Sequence, residues 1–148
     1  MSYNFVKTTV SFEAAHRLYD VKTYSEECRN NIHGHSYKVT VVVSSESLNN
    51  ANMVIDFKYL KELIHDSIET RFDHSCILKY NDPLCDPIVK YCEKVHVVDD
   101  NPTAEWMCKY FYNILQECLH DKGIYDAMIY EVAVQETENN IAIYRGEM

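Results

Sequence analysis

Glycine and proline are scarce, three of each in 148 residues, which excludes a loop-rich or disordered chain and leaves one built mostly of regular elements. Basic residues are outnumbered, with 14 Lys and Arg against 23 Asp and Glu and a formal charge of -9. That excludes general nucleic-acid binding, which needs clustered cations to neutralise phosphates. An anionic small molecule is compatible with the composition, provided a metal, a backbone nest or a few basic side chains focus positive charge locally. No apolar run approaches the roughly 18 residues of a membrane span. The opening MSYNFVKTTVSF also lacks the basic, apolar, small-residue order of a signal peptide. No membrane partner and a cytoplasmic location are therefore expected. The six cysteines are irregularly spaced and contain no C-x-x-C, so they read as reduced thiols, five of them small apolar fillers. Internal repeats and linkers are missing too, and the length suits a single domain over residues 1–148.

What the chain does have is periodicity. Val6, Thr8, Val10, Phe12, Ala14 and His16 alternate as one face of a strand, and His33, His35, Tyr37, Val39, Val41 and Val43 as one face of a second. Between them lies LYDVKTYSEECRNN, a polar loop carrying Cys28. Phe57, Leu60, Ile64, Ile68 and Phe72 recur at helical spacing behind an Asp56 cap. The segment from Asp73 to Asp100 reads as a long loop with short elements, a length more often functional than idle. Asn101-Pro102 opens a second helix with Met107, Phe111, Ile114, Leu115 and Cys118 on one stripe. Met128, Tyr130, Val132, Val134 and Glu136 alternate as a third strand, and Ile141 to Tyr144 makes a fourth. The expectation is an α+β domain, a four-stranded antiparallel sheet with two helices inserted between its strand pairs. Its exposed edges call for cover, and oligomerisation is one way to supply it.

Histidines at i and i+2 on a strand project to one face, so His33 and His35 can share an ion, and Gly34 between them is read as leaving the spot uncrowded. His16, ending the strand that pairs with theirs, is the candidate third ligand. Three imidazoles and an open position is the catalytic zinc pattern; a structural site closes its shell with four protein ligands. The bland reading is two histidines ending a strand in solvent. Cys28 in a polar loop is either a chance surface thiol or, near a cation, a thiolate that acts as nucleophile or base. Asp73 and His74 form either a tautomer-setting pair or surface decoration. Glu136 falls on the core parity, where an unpaired carboxylate is costly, so the strand has left the core there or the side chain receives a ligand donor. Glu105 is accounted for by the helix dipole. A cupin-type oxygenase needs a Glu shortly after H-x-H, and Ser36, Tyr37, Lys38 and Val39 stand there instead.

Six motifs occur in one order: FEAAH (12 to 16), C-x4-HGHSY (28 to 37), VIDF (54 to 57), DH (73 to 74), NPTAE (101 to 105) and ET-x-N-N-x-A-x-Y (136 to 144). From about Phe5 to Glu147 the chain resembles the 6-pyruvoyl-tetrahydropterin synthase family, which includes the 6-carboxy-tetrahydropterin synthases of queuosine biosynthesis. The resemblance implies zinc (Zn2+) held by His16, His33 and His35, and Cys28 as catalytic base or acid tuned by Asp73 and His74. It also implies Glu136 as anchor of the pterin ring, with Thr103 and Glu105 lining the pocket. The implied fold is the tunnelling fold, assembled as a homohexamer, a dimer of trimers with active sites at subunit interfaces. The implied activity is a zinc-dependent lyase acting on 7,8-dihydroneopterin triphosphate, a small-molecule pterin partner. NPTAE and the terminal YRGE favour the branch yielding 6-carboxy-5,6,7,8-tetrahydropterin, acetaldehyde and triphosphate. The alternatives are 6-pyruvoyl-tetrahydropterin synthase and, further off, a non-catalytic zinc protein with Cys28 as fourth ligand. Two features depart from the family pattern: the four residues between Cys28 and His33, where bacterial carboxy enzymes have three and animal pyruvoyl enzymes five, and the long Asp73 to Asp100 segment.

Overall fold

The computed structural model describes residues 1–22 and 25–147. Six strands form one sheet: β1 (Asn4–His16), β2 (His33–Ser45), β3 (Ser75–Lys79), β4 (Val95–Val98), β5 (Met128–Thr137) and β6 (Asn140–Arg145). The helices are α1 (Glu26–Asn30), α2 (Phe57–Ile64), α3 (Thr70–Phe72), α4 (Cys85–Tyr91) and α5 (Ala104–Asp121). The sheet order is β4-β3-β1-β2-β5-β6.

The α+β class holds, but the sheet is six-stranded and mixed rather than four-stranded and antiparallel. The four long strands are antiparallel neighbours as expected, while β3 pairs parallel with the last three residues of β1 and β4 pairs parallel with β3. Both extra strands lie in the segment read as a loop. SCILK and VHVV are too short for a readable period; β3 is made a strand by the end of β1, remote in sequence, and β4 only by β3.

Antiparallel pairing of β1 with β2 sets Phe12 opposite Tyr37, Ala14 opposite His35 and His16 opposite His33. The apolar face so made is covered by α2, α3 and α5, with Leu60, Ile64, Ile68, Phe72, Met107, Phe111 and Leu115 all at 0% exposure. Leu60, Ile64, Ile68 and Phe72 step by four residues, and a 3.6-residue helix would drift away from such a row. A π-helical turn at His65–Glu69 joins α2 to α3, and its wider winding keeps all four on the core. Asp56 caps α2 by accepting from Lys58 N–H (2.8 Å) and Tyr59 N–H (3.1 Å).

The third strand's parity differs from expectation near its start. Val42 faces Glu131 and Val43 faces Ile129, so Tyr130 is an extra residue, and Ile129 takes the core face at 1% exposure instead of Met128 or Tyr130. A second irregularity sits between Gln135 and Thr137 on the β6 side, which makes Glu136 the unmatched residue. Among the described residues no helix is long and apolar enough to cross a membrane.

Candidate active site

The register that pairs His16 with His33 and the two-residue period that adds His35 gather three imidazoles at one end of β1 and β2. Their ring centroids lie 4.6, 5.0 and 5.1 Å apart. Glu136, which continues the inward parity of Val132 and Val134 at the bulge, brings Oε1 to 2.8 Å from His35 Nε2 and 3.3 Å from His16 Nε2. One ligand atom from each of the four residues lies within 4.8 Å of every other, a group that could hold a metal ion. The sequence placed Glu136 on this face but not in this cluster, because a bulge leaves no mark in a ten-residue strand.

The ring tautomers are set from behind. His16 Nδ1 donates to Pro102 O (2.7 Å) and His33 Nδ1 to Asn31 O (3.2 Å); a carbonyl only accepts, so both protons sit on Nδ1 and both Nε2 lone pairs face inward. Those two Nε2 atoms are 3.1 Å apart, an arrangement that repels unless a cation lies between them. Among the described residues His35 Nε2 is buried without a hydrogen-bond partner, since the short approach of Glu136 is off the line of donation. Burial, before any other influence, lowers the pKa of His35, with Glu136 opposing. The Glu136 carboxyl is held below its ordinary value, first by a hydrogen bond from His16, which requires a proton on the inward side of that ring where a divalent cation would otherwise sit. A divalent cation requires imidazole lone pairs and an ionised carboxylate; three ring nitrogens and one carboxylate oxygen converge here, so the donor set fits zinc.

Gly34 projects from the opposite face, where a Cβ would meet Ala14 O at 3.4 Å. It leaves room on that face, not beside the histidine rings as the sequence suggested.

Asp73 and His74 do form a pair. Asp73 Oδ1 accepts from Glu13 N–H (2.9 Å), and His74 Nδ1 lies 2.9 Å from Asp73 Oδ2. The Asp73 carboxyl is held below the ordinary range, first by the Glu13 N–H, with His74 and Lys94 adding to it. His74 has the left-handed φ of 61°, a turn that lets adjacent side chains meet, and its N–H donates to Glu13 O at 2.6 Å. The pair is not part of the metal cluster. His74 lines a hollow of about 340 Å³ that Glu13, Gly34, Ser36 and also His35 of the imidazole cluster border.

Cys28 is half-buried on α1 and is not among the converging ligand atoms. Its carbonyl accepts from Leu18 N–H at 3.1 Å, closing the loop on itself. Thr103 caps α5 by accepting from Trp106 N–H at 3.1 Å. Glu105 and Glu136 line a hollow of about 280 Å³ with Ala104, Asn139 and Asn140, so Glu136 belongs both to the imidazole cluster and to the cavity beside it.

The family described as 6-pyruvoyl tetrahydropterin synthase matches residues 5–147. A 6-carboxy-5,6,7,8-tetrahydropterin synthase of Aquifex aeolicus is 32% identical over 159 residues, covering 96% of this chain and 98% of that protein. The 6-pyruvoyl tetrahydrobiopterin synthase of Homo sapiens is 34% identical over 150 residues, covering 96% and 91%. Among solved structures, 6-pyruvoyl tetrahydropterin synthase of Caenorhabditis elegans superposes with a TM-score of 0.71 at 26% identity, covering 99% of this chain and 98% of that one.

Proposed function

The chain belongs to the 6-pyruvoyl tetrahydropterin synthase family, and on that premise we propose that it is a zinc-dependent lyase converting 7,8-dihydroneopterin triphosphate to 6-carboxy-5,6,7,8-tetrahydropterin, acetaldehyde and triphosphate. The observation that carries this reading is the convergence of His16, His33 and His35 with inward lone pairs and an orphaned His35 Nε2. A zinc ion held by these three would polarise the hydroxyls of the substrate side chain.

The chain's own groups have distinct tasks in this reading. Cys28, as thiolate, moves a proton at the neighbouring side-chain carbon. Asp73 fixes the tautomer of His74, which exchanges that proton with the thiol. Glu136 takes the amino-pyrimidinone edge of the ring as a bidentate acceptor, with Glu105 across the same hollow. The Thr103 hydroxyl accepts from Trp106 N–H and keeps its own proton to donate to the ring. The ring is reduced at the expense of its side chain, so no outside reductant enters, and one water is consumed when acetaldehyde leaves.

Because the Asp73–His74 pair lies outside the group of converging ligand atoms and its imidazole is 80% exposed, we place the pair of one copy beside Cys28 of the next. The outer edge of β1 from Asn4 to Phe12 and that of β6 carry no strand partner among the described residues, and joining them between copies would close sheets into a ring. A homohexamer in the cytoplasm is the assembly proposed. Sedimentation as a monomer at micromolar concentration would overturn it.

Zinc-loaded protein incubated with 7,8-dihydroneopterin triphosphate under reducing, oxygen-free conditions, with products identified by mass spectrometry, tests the activity. Carboxy-tetrahydropterin with acetaldehyde is the expected outcome. Pyruvoyl-tetrahydropterin would favour the second reading, which the 34% identity to the human synthase keeps in view, and absence of turnover would refute both.

A further inference from the structure

The loop from Arg17 to Ile32 joins two metal-ligating positions and carries Cys28, yet its helix is only five residues long and contains no buried residue. Something other than a core must hold it. Three side chains from two segments meet at the Asp20 carboxylate: Lys79 Nζ donates to Oδ2 (2.6 Å), Asn81 Nδ2 to Oδ2 (3.0 Å) and Asn101 Nδ2 to Oδ1 (2.9 Å). Lys79 ends β3 and Asn81 follows it, so two of the three donors come from the long Asp73 to Asp100 segment. The third, Asn101, precedes Pro102, whose carbonyl orients His16.

We propose that Asp20 is the positioning residue that fixes the Cys28 loop relative to the imidazole cluster, and that the segment carrying β3, α4 and β4 serves as its anchor. The same segment supplies a second grip one residue from the cluster. Asp82 receives Arg17 Nε at 2.7 Å and Arg17 Nη2 beside it, with Asp82 3% and Arg17 9% exposed. That buried pair ties down the start of the loop at its joint with His16, while Asp20 holds the chain two residues past Leu18, whose N–H donates to Cys28 O at 3.1 Å. Lys79, then Asn81 and Asn101, hold the Asp20 carboxyl well below the usual carboxylate range. The anchor is therefore ionised above the ordinary Asp value and lost only as pH falls through the depressed one.

The rival account is a surface ion pair, which adds almost nothing to stability. It concedes that removing Asp20 leaves the fold intact, which is what makes the two accounts separable. The positioning role rests on the proposed reaction, so the test carries one readout that needs no turnover. In zinc-loaded Asp20→Asn protein, metal content and melting temperature should stay at parent values, while amide exchange in the described parts of residues 17–32 accelerates about tenfold and exchange in β2 and α5 does not. Turnover of the pterin triphosphate should fall about tenfold in kcat with KM unchanged. Asp20→Glu, retaining the charge, should recover part of both, and Lys79→Met should reproduce the Asp20→Asn effects at smaller size. Unchanged loop exchange, or faster exchange with parental kcat, would overturn the proposal. If the parent protein itself shows no turnover, the reaction has failed rather than the anchor. The rate of Cys28 alkylation by iodoacetamide then decides: a change in Asp20→Asn relative to parent supports the anchor, and identical rates refute it.

Discussion

The metal end of β1 and β2 and the corner where α3 runs into β3 both carry proposed catalytic side chains, but they are built to opposite plans. At the metal end His16 is 1% exposed, four ligand atoms converge, and backbone carbonyls fix two of the tautomers. At the corner, Asp73 and His74 are matched to each other, yet their side chains are 36% and 80% exposed. A cluster of lone pairs must be held by the fold or it would not stay together, whereas a hydrogen-bonded acid–imidazole pair is content in water. The difference indicates that one chain gathers its candidate metal ligands within the fold and presents the Asp73–His74 pair outward.

The largest effects should come from breaking the preorganised end. His35→Ala removes a ligand whose Nε2 has no other partner among the described residues, and we expect zinc affinity to fall by at least about 100-fold, beyond the loss caused by removing an outer partner, with turnover abolished. Metal analysis after gel filtration checks it; stoichiometric zinc would mean that Glu136 and the remaining two histidines suffice. Cys28→Ala attacks the proton-transfer side alone, so turnover should fall by about 10²–10⁴-fold while zinc content is parental. Loss of zinc in that variant would instead make Cys28 a ligand.

Whether the two regions meet across copies is open to a sharper test. His74→Gln alone should lower kcat and leave zinc in place. Refolded together in equal amounts, Cys28→Ala and His74→Gln chains should regain about a quarter of parental sites, since each interface pairs a random donor of Cys28 with a random donor of His74. A mixture as inactive as its components would place both residues in one chain's own site.

The metal end was legible because it obeys the strand period: parity put His16, His33 and His35 on one face, and antiparallel pairing of neighbouring strands supplied the rest. The caps at Asp56 and the two amphipathic helices were legible for the same reason, being local patterns. β3 and β4 were not, because β3 depends on the remote end of β1 and β4 depends in turn on β3. Glu136 was half legible: its parity was right, but the bulge at which it meets the imidazole cluster is a register event between β5 and β6. The Asp73–His74 pair was visible as two residues, while the left-handed backbone at His74 that joins them was not.

The smallest expected effect probes how the metal end is held. Tyr37 is wholly buried, stacked on Phe12 at 5.1 Å, and its hydroxyl lies 3.3 Å from His16 Nδ1. That nitrogen has one proton, and Pro102 O, at 2.7 Å, is the nearer acceptor, so the phenol oxygen is at most a secondary partner of the same N–H. Tyr37→Phe keeps the ring and its packing, removes the hydroxyl, and leaves the carbonyl that sets the tautomer. Zinc affinity should therefore drop only a few-fold, less than the 10- to 100-fold typical of losing a principal outer partner, and stability should change by about 1 kcal/mol. Competition against a chelator of known affinity measures the first, and urea unfolding of the metal-free protein the second. A loss approaching 100-fold would show that the phenol, not the Pro102 carbonyl, holds the imidazole, and would shift the support of the metal end from the segment preceding α5 to the sheet itself.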